Sequence, residues 1–277
     1  MADELKDVFS KKKKLKLMTH VLAGYPDLKT SQEWIMGLAE SGADLIEIQI
    51  PFSDPLADGP TIMAANHLAL KNGITPQKFF ELAWSIKGAM TVPFIFMTYA
   101  NIAYAMGMER FVSLSAESGA SGLIMPDLPF DERNFDLFSC AKKYGLSVIP
   151  VVSAGISSSR LKKILNRTEG FLYITLRVGI TGAVKRIERE GLEFIQRVRE
   201  MTSLPLAAGF GISSEKHLDL LQGKVDMVVI GSHLIDLFHS SGLSAVLNFI
   251  KRCKARTRRD RTRSHTYHHG IGRLSQG

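Results

Sequence analysis

Eight short apolar runs recur along this chain, at residues 17–22, 45–50, 92–97, 122–125, 147–152, 171–176, 205–208 and 227–230. Between most of them lies a longer stretch with helical spacing, as in Leu161, Ile164 and Leu165, or Leu192, Ile195 and Val198. Apolar runs that do not alternate with polar residues fit strands covered on both faces, the setting of a parallel sheet. Eight such units in 277 residues predict a single α/β domain, a (β/α)8 barrel of the TIM type. An open doubly wound sheet is the competing architecture. It is disfavoured because the first run leads into 22–26, which offers one glycine and no dinucleotide-type pattern. Residues 1–14 read as an extra N-terminal helix that covers the bottom of the barrel.

Composition bounds the class of protein. A hydrophobic content of 45% and a charged content of 22% are ordinary for a globular chain, and no apolar run reaches membrane-spanning length. The first residues do not read as a secretory signal. Cys140 and Cys253 show neither metal-ligand spacing nor a disulfide framework, so a cytoplasmic location is expected. The net charge of +8 is misleading, because residues 254–277 carry seven Lys/Arg against one Asp and so hold +6 of it. A barrel domain over 1–253 is therefore expected to be followed by a basic, disordered tail over 254–277. Nucleic acid and membrane are not expected partners, and no metal site is expected, His265, His268 and His269 of the tail included.

Barrel enzymes carry their sites at the carboxyl ends of the strands. The unusual polar and glycine residues fall there: Glu47 in the second run, Tyr99 to Asn101 after the third, Asp127 after the fourth, and glycines after the sixth, seventh and eighth. Glu47 stands inside an apolar strand, where a charge is costly unless it is paired or neutralised. Asp58 follows in a loop rich in proline and glycine. Two such carboxyls suit general acid–base chemistry; equally, they fit a solvated edge-strand Glu and a turn-forming Asp. The late glycines, Gly182, Gly211 and Gly231, with Ser232 at a helix start, fit a phosphate cradle, or simple tight turns.

Longer strings are more specific. PFSDPLADGP (51–60), GITGA (179–183), LPLAAGFGIS (204–213) and VVIGS (228–232) occur in the order and spacing of the tryptophan synthase alpha subunit family. LAGYPD (22–27), MTYANIAYAMGMERF (97–111) and LIMPDLP (123–129) are similar to further family segments, so the resemblance covers nearly all of 2–253. It implies a lyase that cleaves indole-3-glycerol phosphate to indole and glyceraldehyde-3-phosphate by a retro-aldol reaction, without a cofactor in this chain. It implies Glu47 as the catalytic acid–base and Asp58 as the acid that binds the indole N–H. Tyr99, Tyr173, Thr181 and Phe210 are implied to line the substrate pocket, and Gly182, Gly211, Gly231 and Ser232 to bind phosphate. The loop over 177–190, with Arg177 and Gly179, is expected to close over bound substrate.

The resemblance also implies a partner, a beta subunit that uses pyridoxal phosphate to join indole to serine in an alpha2–beta2 tetramer. The loop with Asp54 and Pro55, and the segment around Asn101, match interface regions. Several positions depart from the family pattern. Gln49 stands for a usual glycine, His20 for a usual aromatic, Leu22 for a usual Thr and Leu176 for a usual Ser. Strand alternation predicts that Gln49 points inward beside Glu47, narrowing the pocket or hydrogen-bonding that carboxylate. His20 is read as a satisfied core residue. Two other functions compete: an alpha-like chain that activates a beta partner without cleaving substrate, and a different phosphate-binding barrel such as a stand-alone isomerase.

Overall fold

The computed structural model describes residues 2–10, 14–130, 137–175, 189–209 and 211–258. Among these, the strands are β1 (Lys16–Leu22), β2 (Leu45–Gln49), β3 (Phe94–Met97), β4 (Gly122–Ile124), β5 (Ser147–Val148), β6 (Val151–Ser153), β7 (Leu172–Thr175), β8 (Leu206–Gly209) and β9 (Met227–Ile230). The helices are α1 (Ala2–Ser10), α2 (Leu28–Ser41), α3 (Pro60–Lys71), α4 (Pro76–Lys87), α5 (Ala100–Met106), α6 (Met108–Glu117), α7 (Leu137–Lys143), α8 (Ser158–Leu165), α9 (Arg189–Met201), α10 (Glu215–Leu221) and α11 (Ser232–Thr257). All pairings are parallel, in the order β5-β4-β3-β2-β1-β9-β8-β7-β6.

The expected eight strands appear as nine segments because the fifth run is broken at Pro150, which has no N–H to give to a ladder. The two halves face opposite neighbours. The Ile149 amide bonds the Leu123 carbonyl at 2.9 Å, and the Pro150 carbonyl accepts from the Tyr173 amide at 3.0 Å. The sheet therefore closes on itself through 147–153, as a barrel requires.

Alternation along the strands sorts the side chains into two layers. Ile46, Ile48, Phe94, Phe96, Leu206, Ala208, Val228 and Ile230 pack outward beneath the helices. Met18, Leu45, Ile95, Met97, Ala207, Met227 and Val229 fill the interior. Leu5 of α1 is fully buried in that interior cluster, so the N-terminal helix does plug the barrel, though it ends at Ser10. Helix starts follow local chemistry. Asp27 caps α2 by accepting from the Thr30 amide at 2.9 Å, and Thr75 caps α4 ahead of Pro76. Helix pairs fill two of the crossovers, with α3 and α4 between β2 and β3, and α5 and α6 between β3 and β4.

The domain boundary expected at 253/254 falls inside α11, which continues to Thr257. Lys254 Nζ lies 2.6 Å from Asp44 Oδ1, while Asp44 Oδ2 accepts from the Leu17 amide at 2.8 Å. Arg256 makes a two-pronged pair with Asp219, at 2.8 and 2.5 Å. These contacts tie the helix end to the start of β2 and to α10, against the expectation that the tail begins at 254. Residues 259–277 lie outside the described set. Truncation after residue 258 is expected to leave the melting temperature within about 1 °C of the full chain. Truncation after Cys253 removes both ion pairs and the buried Thr257 and is expected to lower it by about 2–6 °C. Thermal unfolding of the two truncated chains checks this.

Candidate active site

The parallel register of β1 on β2 sets His20 directly opposite Glu47 and Leu22 opposite Gln49. His20, Glu47 and Gln49 share the inward parity of Met18 and Leu45, so they project into the barrel mouth, 5%, 3% and 0% exposed. Asp58 comes down into the same space from the loop between β2 and α3 and is 4% exposed. Two carboxyls, an imidazole and an amide thus share one buried space.

Each carboxyl is held differently. Asp58 Oδ2 accepts from Gln49 Nε2 at 2.7 Å and from Asn66 Nδ2 at 3.1 Å. The Tyr99 hydroxyl also bonds Asp58. Glu47 Oε1 lies 3.6 Å from His20 Nδ1, slightly beyond hydrogen-bond length, and its Oε2 has no hydrogen-bond partner among the described residues. One carboxyl is clamped by three donors; the other touches one. Gln49 does point inward as expected, but it bonds Asp58 and not Glu47. The reason is reach: Asp58 approaches from above the strand end, within the span of the glutamine amide.

The local fold explains the clamp. Asn66, on α3, accepts from the Phe52 amide at 3.0 Å while donating to Asp58, so it fixes both ends of the loop. Tyr99 stacks on Phe52 with ring centres 5.2 Å apart and accepts from the Ala57 amide at 3.1 Å. It is 1% exposed. It supports the Asp58 loop. Tyr173, on β7, faces inward and feels the charges of both Glu47 and Asp58. A Cβ on Gly209 of β8 would meet its hydroxyl at 3.0 Å, so glycine there makes room for the phenol.

The electrostatics follow from burial. Burial raises the Asp58 pKa from its ordinary 3.8, and the Glu47 charge adds to this, while the Gln49 and Tyr99 bonds and His20 oppose it. Burial also pushes the Tyr173 phenol well up, helped by Glu47 and Asp58. For His20, burial acts downward, but the Glu47 contact and the Glu47 and Asp58 charges outweigh it, and the pKa rises above 6.5.

Across the mouth, Gly211 adopts a φ of 62°, the left-handed region that favours glycine. Gly231 immediately precedes α11, and Ser232 is its buried first residue. Thr181, Gly182 and Phe210, with Leu176, Arg177 and Gly179, lie outside the described residues; of the expected loop, only Arg189 and Glu190 are described, opening α9. Asp127 accepts from the Ala100 amide at 3.0 and 3.1 Å and serves α5. Leu22, opposite Gln49 in the register, shares its inward parity and is buried. Sequence reasoning missed Asn66 and read His20 as core. The one available signal for Asn66 was a buried-face asparagine in an otherwise apolar helix stripe.

A raised Asp58 pKa means the folded state disfavours the anion. Its contribution to stability is present below pH 3.8 and is lost as pH rises through the folded value. Asp58→Asn keeps an oxygen for Gln49 and Asn66 and removes the charge. It is expected to raise the melting temperature at pH 8, about 2–4 °C for each kcal/mol gained, with the gain shrinking towards pH 4. Thermal unfolding across that range checks the sign.

Comparison with known proteins agrees with this geometry. The family model described as "Tryptophan synthase alpha chain" matches residues 7–262. The tryptophan synthase alpha chain of Desulforapulum autotrophicum is 39% identical over 241 residues, 87% of this chain and 95% of that one. Its counterpart in Bacillus thuringiensis is 35% identical over 252 residues, 91% and 97% of the two chains. A structure of Mycobacterium tuberculosis tryptophan synthase superposes with a TM-score of 0.86 at 29% identity, covering 92% of this chain and 98% of that one. An X-ray structure of the Pyrococcus furiosus tryptophan synthase complex gives 0.79 at 28% identity, with 88% and 98% covered. With most of its length matched by the family model and by relatives above 30% identity, this chain belongs to the tryptophan synthase alpha chain family.

Proposed function

We propose that this chain is the alpha subunit of a tryptophan synthase, a lyase that cleaves indole-3-glycerol phosphate to indole and glyceraldehyde-3-phosphate and passes indole to a beta subunit. The observation that carries this reading is the pair of buried carboxyls held in different ways at the barrel mouth. Retro-aldol cleavage needs one group that moves a proton and one anion that stays put. Glu47, with a free oxygen, takes the first role: it protonates ring carbon three and then accepts the glycerol hydroxyl proton as the carbon–carbon bond breaks. Asp58, clamped by Gln49, Asn66 and Tyr99, takes the second: it faces the indole N–H and balances the positive ring.

Tyr173 lines the pocket near Glu47, within reach of the charges of both carboxyls. Gly211, Gly231 and Ser232 bind the phosphate, with amides at the start of α11 directed to the anion. Thr181, Gly182 and Phe210 complete the pocket by their match to the family motifs. No step calls for a cofactor in this chain; pyridoxal phosphate belongs to the beta partner. The docking face runs from the Asp54–Pro55 loop to Asn101, where Leu56 is 80% exposed. No helix among the described residues is long and apolar enough to cross a membrane, and both cysteines are free, which fits work in the cytoplasm.

A second reading, an alpha-like activator without cleavage, is favoured by one feature: Gln49 already occupies an Asp58 oxygen. Indole release from indole-3-glycerol phosphate, with and without the beta subunit, separates the two. The lyase reading expects release that Glu47→Gln lowers by at least about 10²-fold. Activation of the beta subunit with no indole released would establish the activator instead. Gln49→Gly removes the competing donor from Asp58 and opens space for the ring. It is expected to raise kcat/KM about 3–10-fold, the scale of one exchanged hydrogen bond. Steady-state assays of equally folded proteins measure it, and an unchanged value would mean that the pocket is already adapted to the glutamine.

A further inference from the structure

We infer that His20 is a positioning residue that shares one proton with Glu47, so that the proton carrier of this site is a histidine–glutamate pair. The inference rests on the lyase reading above for its chemistry, but on geometry for the pair itself. The two residues are directly opposite one another in the β1–β2 register, and their side chains are 6% and 4% exposed, with Nδ1 and Oε1 3.6 Å apart. Neither His20 Nε2 nor Glu47 Oε2 has a hydrogen-bond partner among the described residues. A buried carboxylate with no compensating charge is costly, and the imidazole is the cation placed to offset it.

The surroundings leave this pairing undisturbed. Glu47 on β2 and Asp58 in the loop above are the charged groups that act on His20. Asp58 is already committed to Gln49, Asn66 and Tyr99. Tyr173 on β7 faces the same two carboxylates, and its phenol is held neutral. From the β9 and α11 side, Gly231 packs on the imidazole, a Cβ there meeting His20 Cβ at 3.5 Å, and it brings no charge.

The proton accounting closes. The imidazolium passes its proton to Glu47, which delivers it to ring carbon three. The Glu47 carboxylate then takes the glycerol hydroxyl proton while the carbon–carbon bond breaks. The bonding electrons return to the ring, the aldehyde forms, and the pair again holds one proton. Because the shared proton is retained until the folded imidazole titrates, above 6.5, activity holds level to that point and falls beyond it.

Two measurements test this. The first is histidine NMR titration of the full chain, without substrate. The His20 midpoint is expected above 6.5 and is expected to fall by at least about one pH unit in Glu47→Gln. A midpoint that ignores Glu47→Gln overturns the pair, whether or not the protein cleaves indole-3-glycerol phosphate. The second is the pH profile of kcat and KM with the beta subunit present, for the native chain, His20→Phe and His20→Asn. The alkaline fall in kcat is expected to move to lower pH in both variants, with KM changed less than about twofold. Loss of kcat by the same factor at every pH, or an unmoved alkaline fall, would reduce His20 to packing. Should His20→Phe fail to fold, His20→Asn, which keeps a donor near Nδ1, decides the profile. Absence of indole from the native chain defeats the functional reading alone, since the titration still judges the pair.

Discussion

Closing a parallel sheet into a barrel removes water from its inward positions, and every polar group placed there must be matched by another across the sheet. The lower interior meets this with apolar side chains: Leu5, Met18, Leu45, Ile95, Phe171 and Met227 pack together. The upper interior does not. His20, Glu47, Gln49 and Asp58 are all nearly fully buried there, and their mutual contacts hold them. An unpaired buried polar group costs about 1–3 kcal/mol, and an unpaired charge more, so removing one member disturbs the others. The apolar plug below fixes the strands firmly enough for that polar layer to persist. The site is thus a consequence of strand alternation, with the chemistry written on alternate residues of two adjacent strands.

The sheet and its layers were legible in the sequence because period-two alternation and apolar runs are local signals. Ile46, Ile48 and Ile50 alternate with Glu47 and Gln49, and they pack in the outer layer. Glu47 and Gln49 were expected inward, and they are buried there. The break of the fifth strand at Pro150 is local too, but whether a proline ends a strand or only interrupts it depends on which neighbours claim its two halves. The same limit applies to the tail. The charge surplus marks residues 254–277, yet Lys254 and Arg256 belong to the domain because Asp44 and Asp219, distant in sequence, wait beside them.

The partners within the site were the least legible part. That His20 meets Glu47 follows from the β1–β2 register, which no spacing in the sequence states. That Gln49 bonds Asp58 rather than Glu47 follows from how the loop descends, which Asn66 and Tyr99 jointly determine from α3 and the end of β3. A motif names the residues that do chemistry. It does not name the residues that hold them, since an asparagine on a helix or a histidine in a strand has many ordinary uses.

Two of the four positions expected to depart from the family pattern, His20 and Gln49, are best understood together. Each sets a polar group beside one carboxyl of the site: Gln49 donates to Asp58, and His20 lies 3.6 Å from Glu47. A glycine and an aromatic at these positions would leave both carboxyls less compensated, with more open space above the apolar plug. Here the space is filled by polar groups, and the two acids are tied to different elements of the barrel. The glutamine fixes Asp58 to β2, the strand that also carries Glu47. The histidine lies between Glu47 and β9, the other neighbour of β1, which is followed by Gly231 beside the imidazole. Changes at either position therefore act on one carboxyl first, and reach the other only through the charge that Glu47, Asp58 and His20 feel in common.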